Sequence, residues 1–153
     1  MIGATLRISI ALGSCLSAGG CGAEERYVVS QTSNQMMIVD QIDRTGTEPK
    51  ARITIISSKR EPSEVNDRLI RRLSFEARFR CGDGTLRYGA SVATLEVGGT
   101  FSAPAETGSV WEHPSPDTGK AHAVRAVCLP GSTDAMRVTD TLAELEQKYR
   151  GGN

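Results

Sequence analysis

Nine residues, Leu73 to Cys81, constrain the fold more than any other stretch of this chain. In LSFEARFRC the side chains Leu73, Phe75, Ala77, Phe79 and Cys81 alternate with Ser74, Glu76, Arg78 and Arg80. A period of two over that length predicts a β-strand with one buried and one wet face. GDG follows at Gly82–Gly84, and Asp and Gly accept the positive φ of a tight hairpin turn. The alternation resumes at Leu86, Tyr88, Ala90 and Val92 and then slips phase to Leu95 and Val97, which predicts a bulge near Ala93 and Thr94. Tyr88, in phase with Leu86, is expected in the core.

Around this hairpin the chain reads as further strands. MMIVD (Met36–Asp40) and the β-branched ARITIIS (Ala51–Ser57) are separated by the turn cluster TGTEP. Gly98 and Gly99 turn the chain into a short TFSA strand. KREPSEVNDRLIRR (Lys59–Arg72) is charged, contains Pro62, and reads as a loop with one helical turn around Val65–Ile70. Pro104–Lys120 is a long loop holding three prolines and Trp111, the only tryptophan. Trp111 is read as a plug beneath that loop rather than a binding anchor.

The period changes in AHAVRAVCL, where Ala121, Val124 and Cys128 share a helical face, and Pro130–Gly131 stop the helix. A second helix is expected over STDAMRVTDTLAELEQKYR, capped by Ser132 or Thr133, with Met136, Thr139, Leu142, Leu145 and Tyr149 as its apolar stripe. Cys81 ends the inward face of the best strand and Cys128 that of the first helix, so a disulfide between them is expected to staple helix to sheet. Closing a loop of roughly 48 residues would contribute on the order of 4 kcal/mol in the chain-entropy model. The fold class is therefore α+β: a twisted antiparallel sheet with a helix packed on one face and tied to it by the disulfide, plus an additional C-terminal amphipathic helix.

The N-terminus sets the compartment. Residues 1–23 carry one charge, Arg7, and an apolar or small run from Ile8 to Ala18, which suits an export signal and is too short to span a membrane. LGSC at Cys15 and AGGC at Cys21 both resemble the sequence at which a lipoprotein signal is cut and the cysteine acylated. Cleavage before Cys21 is favoured. It keeps a longer apolar core and leaves Cys81 and Cys128 as the only other thiols in an oxidising compartment. Lipidation at Cys15 and plain secretion after a cut near Ala23 are the alternatives. The domains expected are then a signal at 1–23, a folded unit at 24–130 and a helical extension at 131–153.

Eighteen basic residues balance eighteen acidic ones. No global field draws the chain to nucleic acid, and membrane association would come through the lipid alone. His113 and His122, the only histidines, belong to no hydrolase or metal-ligand motif. No catalytic residue, metal or cofactor is expected. The one charged feature is a run of arginines at 68, 71, 72, 78, 80 and 87. Arg78 and Arg80 share the wet face of one strand, and Arg87 joins them across the GDG turn. Such a basic stripe suits acidic protein segments, sulfated glycans or lipid head groups, or it is a solvated face that keeps strands from aggregating.

Asp40 after the first full strand, FRCGDGTLRYGA with Cys81 and Tyr88, SVWEHPSP with Trp111, and AVRAVC with Cys128 occur in an order that resembles the surface-adhesin protein E family of bacterial outer-membrane lipoproteins. The likeness spans about residues 26–129. It implies a twisted sheet tied to a helix by the Cys81–Cys128 disulfide, and a protein that binds host matrix or plasma proteins and can dimerise. The expectation is an exported, lipid-anchored binding module with a protein or glycan ligand. A periplasm-facing accessory lipoprotein is the first alternative and a small periplasmic enzyme the second. The segment after Pro130 departs from the family pattern and is expected to cover a sheet face or to form an oligomer contact.

Overall fold

The computed structural model describes residues 24–105, 109–131 and 135–152. The predicted export signal, with Cys15 and Cys21, lies outside them.

Strands β1 (Tyr27–Gln31), β2 (Gln35–Asp43), β3 (Lys50–Ser57), β4 (Ser63–Val65), β5 (Arg68–Arg80), β6 (Thr85–Leu95), β7 (Thr100–Ala103) and β8 (Met136–Arg137) form one antiparallel sheet. Its spatial order is β7-β6-β5-β3-β2-β1-β8, with β4 pairing β5 beyond the end of β3. Helix α1 (Gly119–Cys128) packs on one face and α2 (Leu142–Gly151) on part of the other.

The alternation of LSFEARFRC decides the first face. Ala77 and Phe79 of β5 are buried beside Leu86 of β6, Ala51 and Ile53 of β3, and Met37 and Val39 of β2. Ala123, Val124, Ala126 and Val127 of α1 close over them. Small alanines let the helix approach closely. Gly119, in its first turn, leaves no room for a side chain, since a Cβ there would lie 2.9 Å from the Ser30 Cβ and 3.0 Å from the Met37 sulfur. Thr118 caps the helix by accepting from the Ala121 N–H. At the other end Arg44 donates to the carbonyls of Ala126 (3.0 Å) and Val127 (2.7 Å), which the helix leaves unpaired, and to Glu25 (2.6 Å). The Cys81–Cys128 disulfide, with Cα atoms 5.3 Å apart, joins the end of β5 to the last residue of α1.

The second face is divided. At one end Met36 and Ile38 of β2 and Ile56 of β3 pack under Leu145 and Tyr149 of α2. Arg71 and Arg72 clamp the buried Glu146 of that helix. Arg150 reaches the Ser57 carbonyl at 2.7 Å and Glu96 at 2.6 Å. The C-terminal extension thus covers a sheet face.

Three expectations change here. Lys59–Arg72 is not a loop with a helical turn but a hairpin: β4 and β5 join through Asn66 and Asp67, whose φ of +52° and +57° suits a two-residue hairpin turn. The second helix begins at Leu142, not near 133. Its cap is Thr141, which forms a reciprocal capping box with Glu144, while Met136 belongs to β8 against β1. Finally, the main phase slip in β6 comes early, with Gly89 and Ala90 together opposite Glu76, so Val92 is turned outward and is 45% exposed. A second register shift, opposite Thr94 and Leu95, lies at Arg71 of β5.

Candidate functional site

The second face beyond α2 carries the charges. Its border is Asp40, fully buried, which accepts two hydrogen bonds from Arg52 (2.8 and 2.6 Å) and one from Arg26 (3.3 Å). Arg26 also donates to Glu24 and to the Asp140 carbonyl, both at 2.5 Å. A carboxylate out of water needs such partners, and Asp40 has them on two sides. Its hydrogen bonds push the Arg52 pKa further above its ordinary value.

Past this border lie the predicted residues. Arg78 pairs in register with Arg87, so the two guanidinium stems stand side by side on the open face, and Arg80 stands opposite Thr85. The structure brings all three together, as the alternation implied. It adds Trp111. The Glu112 backbone bridges to Leu86 through two hydrogen bonds of 2.8 and 3.0 Å, which lays residue 111 along the edge of β6. Arg80 then sits 4.0 Å over the indole ring and Arg87 5.0 Å from its centroid. Trp111 is therefore half-buried against two arginines rather than a plug in the core. Glu48 lies 3.2 Å from Arg80 and 3.9 Å from Arg78. Arg68, by contrast, stacks on Phe101, and Arg71 and Arg72 hold α2, so the run of arginines in the sequence is split among separate tasks.

One residue that sequence reasoning missed completes the arrangement. Lys50, at the start of β3, lies opposite Arg78 in register. Lys50, Arg78 and Arg87 thus form a row of three cations across three adjacent strands. On its other side Lys50 faces Asp43 of β2 in register, and hydrogen bonds from Thr45, with Lys50 beside it, hold the Asp43 carboxyl below its ordinary value. The row borders an open groove of about 650 Å³, with Arg52, Glu76 and Gln41 in its walls and Ala77 and Gly89 in its lining. Gln41 takes a φ of +50° where β2 bulges opposite Ala51. Close packing reinforces the bulge in β6: a Cβ at Gly89 would come within 3.3 Å of the Glu76 Cβ.

On the opposite side of the same edge, Tyr88 packs at 5.2 Å from Phe75 and lies under Lys120, which is bound to Glu112 at 2.7 Å. Burial, with Glu112 nearby, pushes the Tyr88 hydroxyl up to about 12. That residue remains a neutral donor and part of the packing. Among the described residues no group of three or more His, Cys, Asp or Glu side chains is placed to hold a metal ion. None of the described helices is long and apolar enough to cross a membrane. The disulfide points to an exported or otherwise oxidising environment. Comparisons with family models, curated proteins and solved structures find no match.

Proposed function

We propose that the chain is an exported envelope protein, anchored by lipid at Cys21, that acts by binding in the manner of an adhesin. Its contact surface is the face made by Arg78, Arg80 and Arg87. The observation that carries this reading is the company those arginines keep. They stand adjacent on a sheet end that α2 leaves uncovered, and two of them rest on the one tryptophan. Like charges directly opposite each other on neighbouring strands destabilise a sheet. An anionic partner turns that repulsion into attraction.

Two measurements test the proposal. The intact mass of the membrane-extracted protein should correspond to a chain starting at an acylated Cys21, and an unacylated chain starting at Glu24 refutes the anchor. Protease treatment of intact cells should degrade the chain while a periplasmic control protein survives. Protection of the chain would overturn the adhesin reading and place its partner inside the envelope.

A further inference from the structure

We infer that α2 is a releasable strap, an internal acidic ligand that keeps Arg71 and Arg72 out of the contact face and gives them up when it lifts. This rests on the reading of that face as a contact surface and adds its regulation. Arg72, Arg78 and Arg80 lie even numbers of residues apart on β5, and the pairing of β5 with β3 is unbroken from Arg72 to Arg78. All three therefore stand on the same side of the sheet. Arg78 and Arg80 are half exposed there. Arg72, with Arg71 beside it, is instead engaged by the buried Glu146 of α2. The helix thus fills with its own carboxylate a place where the face would otherwise offer two more guanidiniums to an anionic partner.

Several features let the helix leave as a unit. Its apolar contacts are separate from the main core. Leu145 and Tyr149 sit on Met36, Ile38 and Ile56, and the cluster beneath α1 shares none of these residues. That core, with the disulfide beside it, stays closed when α2 lifts. Among the described residues α2 is joined to the sheet through side chains and not through backbone pairing. Besides the Glu146 clamp, the Tyr149 hydroxyl donates to the Thr32 carbonyl at 3.0 Å, and Arg150 holds the Ser57 carbonyl and Glu96. The side chains of Arg71 and Arg72 are 49% and 31% exposed, so water and dissolved anions reach the clamp. With 10 residues the helix is also shorter than the roughly 12–15 that hold without packing, so it melts once these contacts go.

The test is hydrogen exchange of the full protein in detergent, read by mass spectrometry at a series of urea concentrations. The amides of residues 145–151 should exchange at one common rate, at least about tenfold faster than those of residues 123–128 in α1. Their urea slope should lie well below that of α1, since lifting α2 exposes little surface. Glu146→Gln should speed α2 exchange about tenfold, the loss of one charge-assisted hydrogen bond. Poly-L-glutamate is the probe for an anionic partner. It should speed α2 exchange more than sodium chloride of equal ionic strength does, because it binds the freed arginines and so favours the lifted state. The double variant Arg71→Gln, Arg72→Gln should lose that response. A urea slope shared with residues 123–128 overturns the proposal, as does α2 exchange that Glu146→Gln or the polyanion leaves unchanged. Poly-L-glutamate that binds through Arg78, Arg80 and Arg87 without moving α2 defeats the strap and leaves the contact face standing. The adhesin reading of that face fails separately, by protection of the chain in the protease experiment.

Discussion

Asp40 offers the sharpest test of what holds the sheet together. It has no exposed surface, and its carboxylate is shared by Arg52, whose side chain is 30% exposed, and Arg26, which is 7% exposed. Asp40→Ala removes the acceptor and leaves two guanidiniums behind. Removing one partner of a buried ion pair costs about 3–5 kcal/mol. Here the lower end applies. Arg26 keeps Glu24 and the Asp140 carbonyl, and Arg52 lies near enough to the surface to regain water. The expected loss is therefore about 3 kcal/mol, which for a folded unit of this size lowers Tm by roughly 10 °C. Urea unfolding of Asp40→Ala, Arg52→Ala and the double variant measures it. The double variant should be less destabilised than the sum of the singles, with a coupling of about 1–3 kcal/mol. A loss below about 1 kcal/mol for Asp40→Ala, or strict additivity, would refute the argument that this carboxylate is held by its charge partners.

Other perturbations probe other contacts. Reducing the Cys81–Cys128 disulfide should destabilise the fold by about 4 kcal/mol and loosen α1, seen as a lower Tm in reductant and faster amide exchange in residues 119–128. Gly119→Ala should cost about 1–3 kcal/mol by driving α1 off Ser30 and Met37, and an unchanged Tm would contradict that close approach. The hydrogen bond from Arg44 holds the Glu25 carboxyl below its ordinary 4.5. Its stabilisation is then fully present above that value and is lost as pH falls through the lower folded pKa, so Glu25→Gln should flatten the acid limb of a stability–pH curve. Arg80→Ala should cost about 0.5–1 kcal/mol and change the emission of Trp111 by uncovering its ring.

What the sequence could reveal follows the range of each physical signal. Period-two alternation is local, so β5 from Leu73 onward, its hairpin to β6 and the role of Cys81 in the disulfide were legible, and Cys128 followed from the helical period of residues 121–128. Two local signals were present but overshadowed. Asn66-Asp67 is a hairpin turn pair, hidden by the surrounding charges and Pro62. Thr141 with Glu144 spells a capping box, hidden because Met136 and Thr139 extend the helical stripe backwards by chance. Arg71 and Arg72, at the end of the loop reading, are strand residues whose partner, Glu146, lies 74 positions beyond Arg72. Lys50 could not be read at all. Its meaning comes from register with Arg78 across the sheet, and nothing local to residue 50 announces it. Trp111 was misplaced for the same reason: its neighbours Arg80 and Arg87 are supplied by the backbone bridge between Glu112 and Leu86.

The pairing of β1 with β8 brings Val28 against Met136 and Tyr27 against Arg137. This gives the molecule a particular kinetic character. Most of the sheet is a meander of neighbouring hairpins, which close over short stretches of chain and form early. The β1 edge is different, because its outer partner arrives from over a hundred residues away. Long loops close slowly, so this edge and the strap of α2 behind it are expected to form late in folding. Until then Met36, Ile38 and Ile56 lie bare beside an unpaired strand, a combination that invites association with other chains.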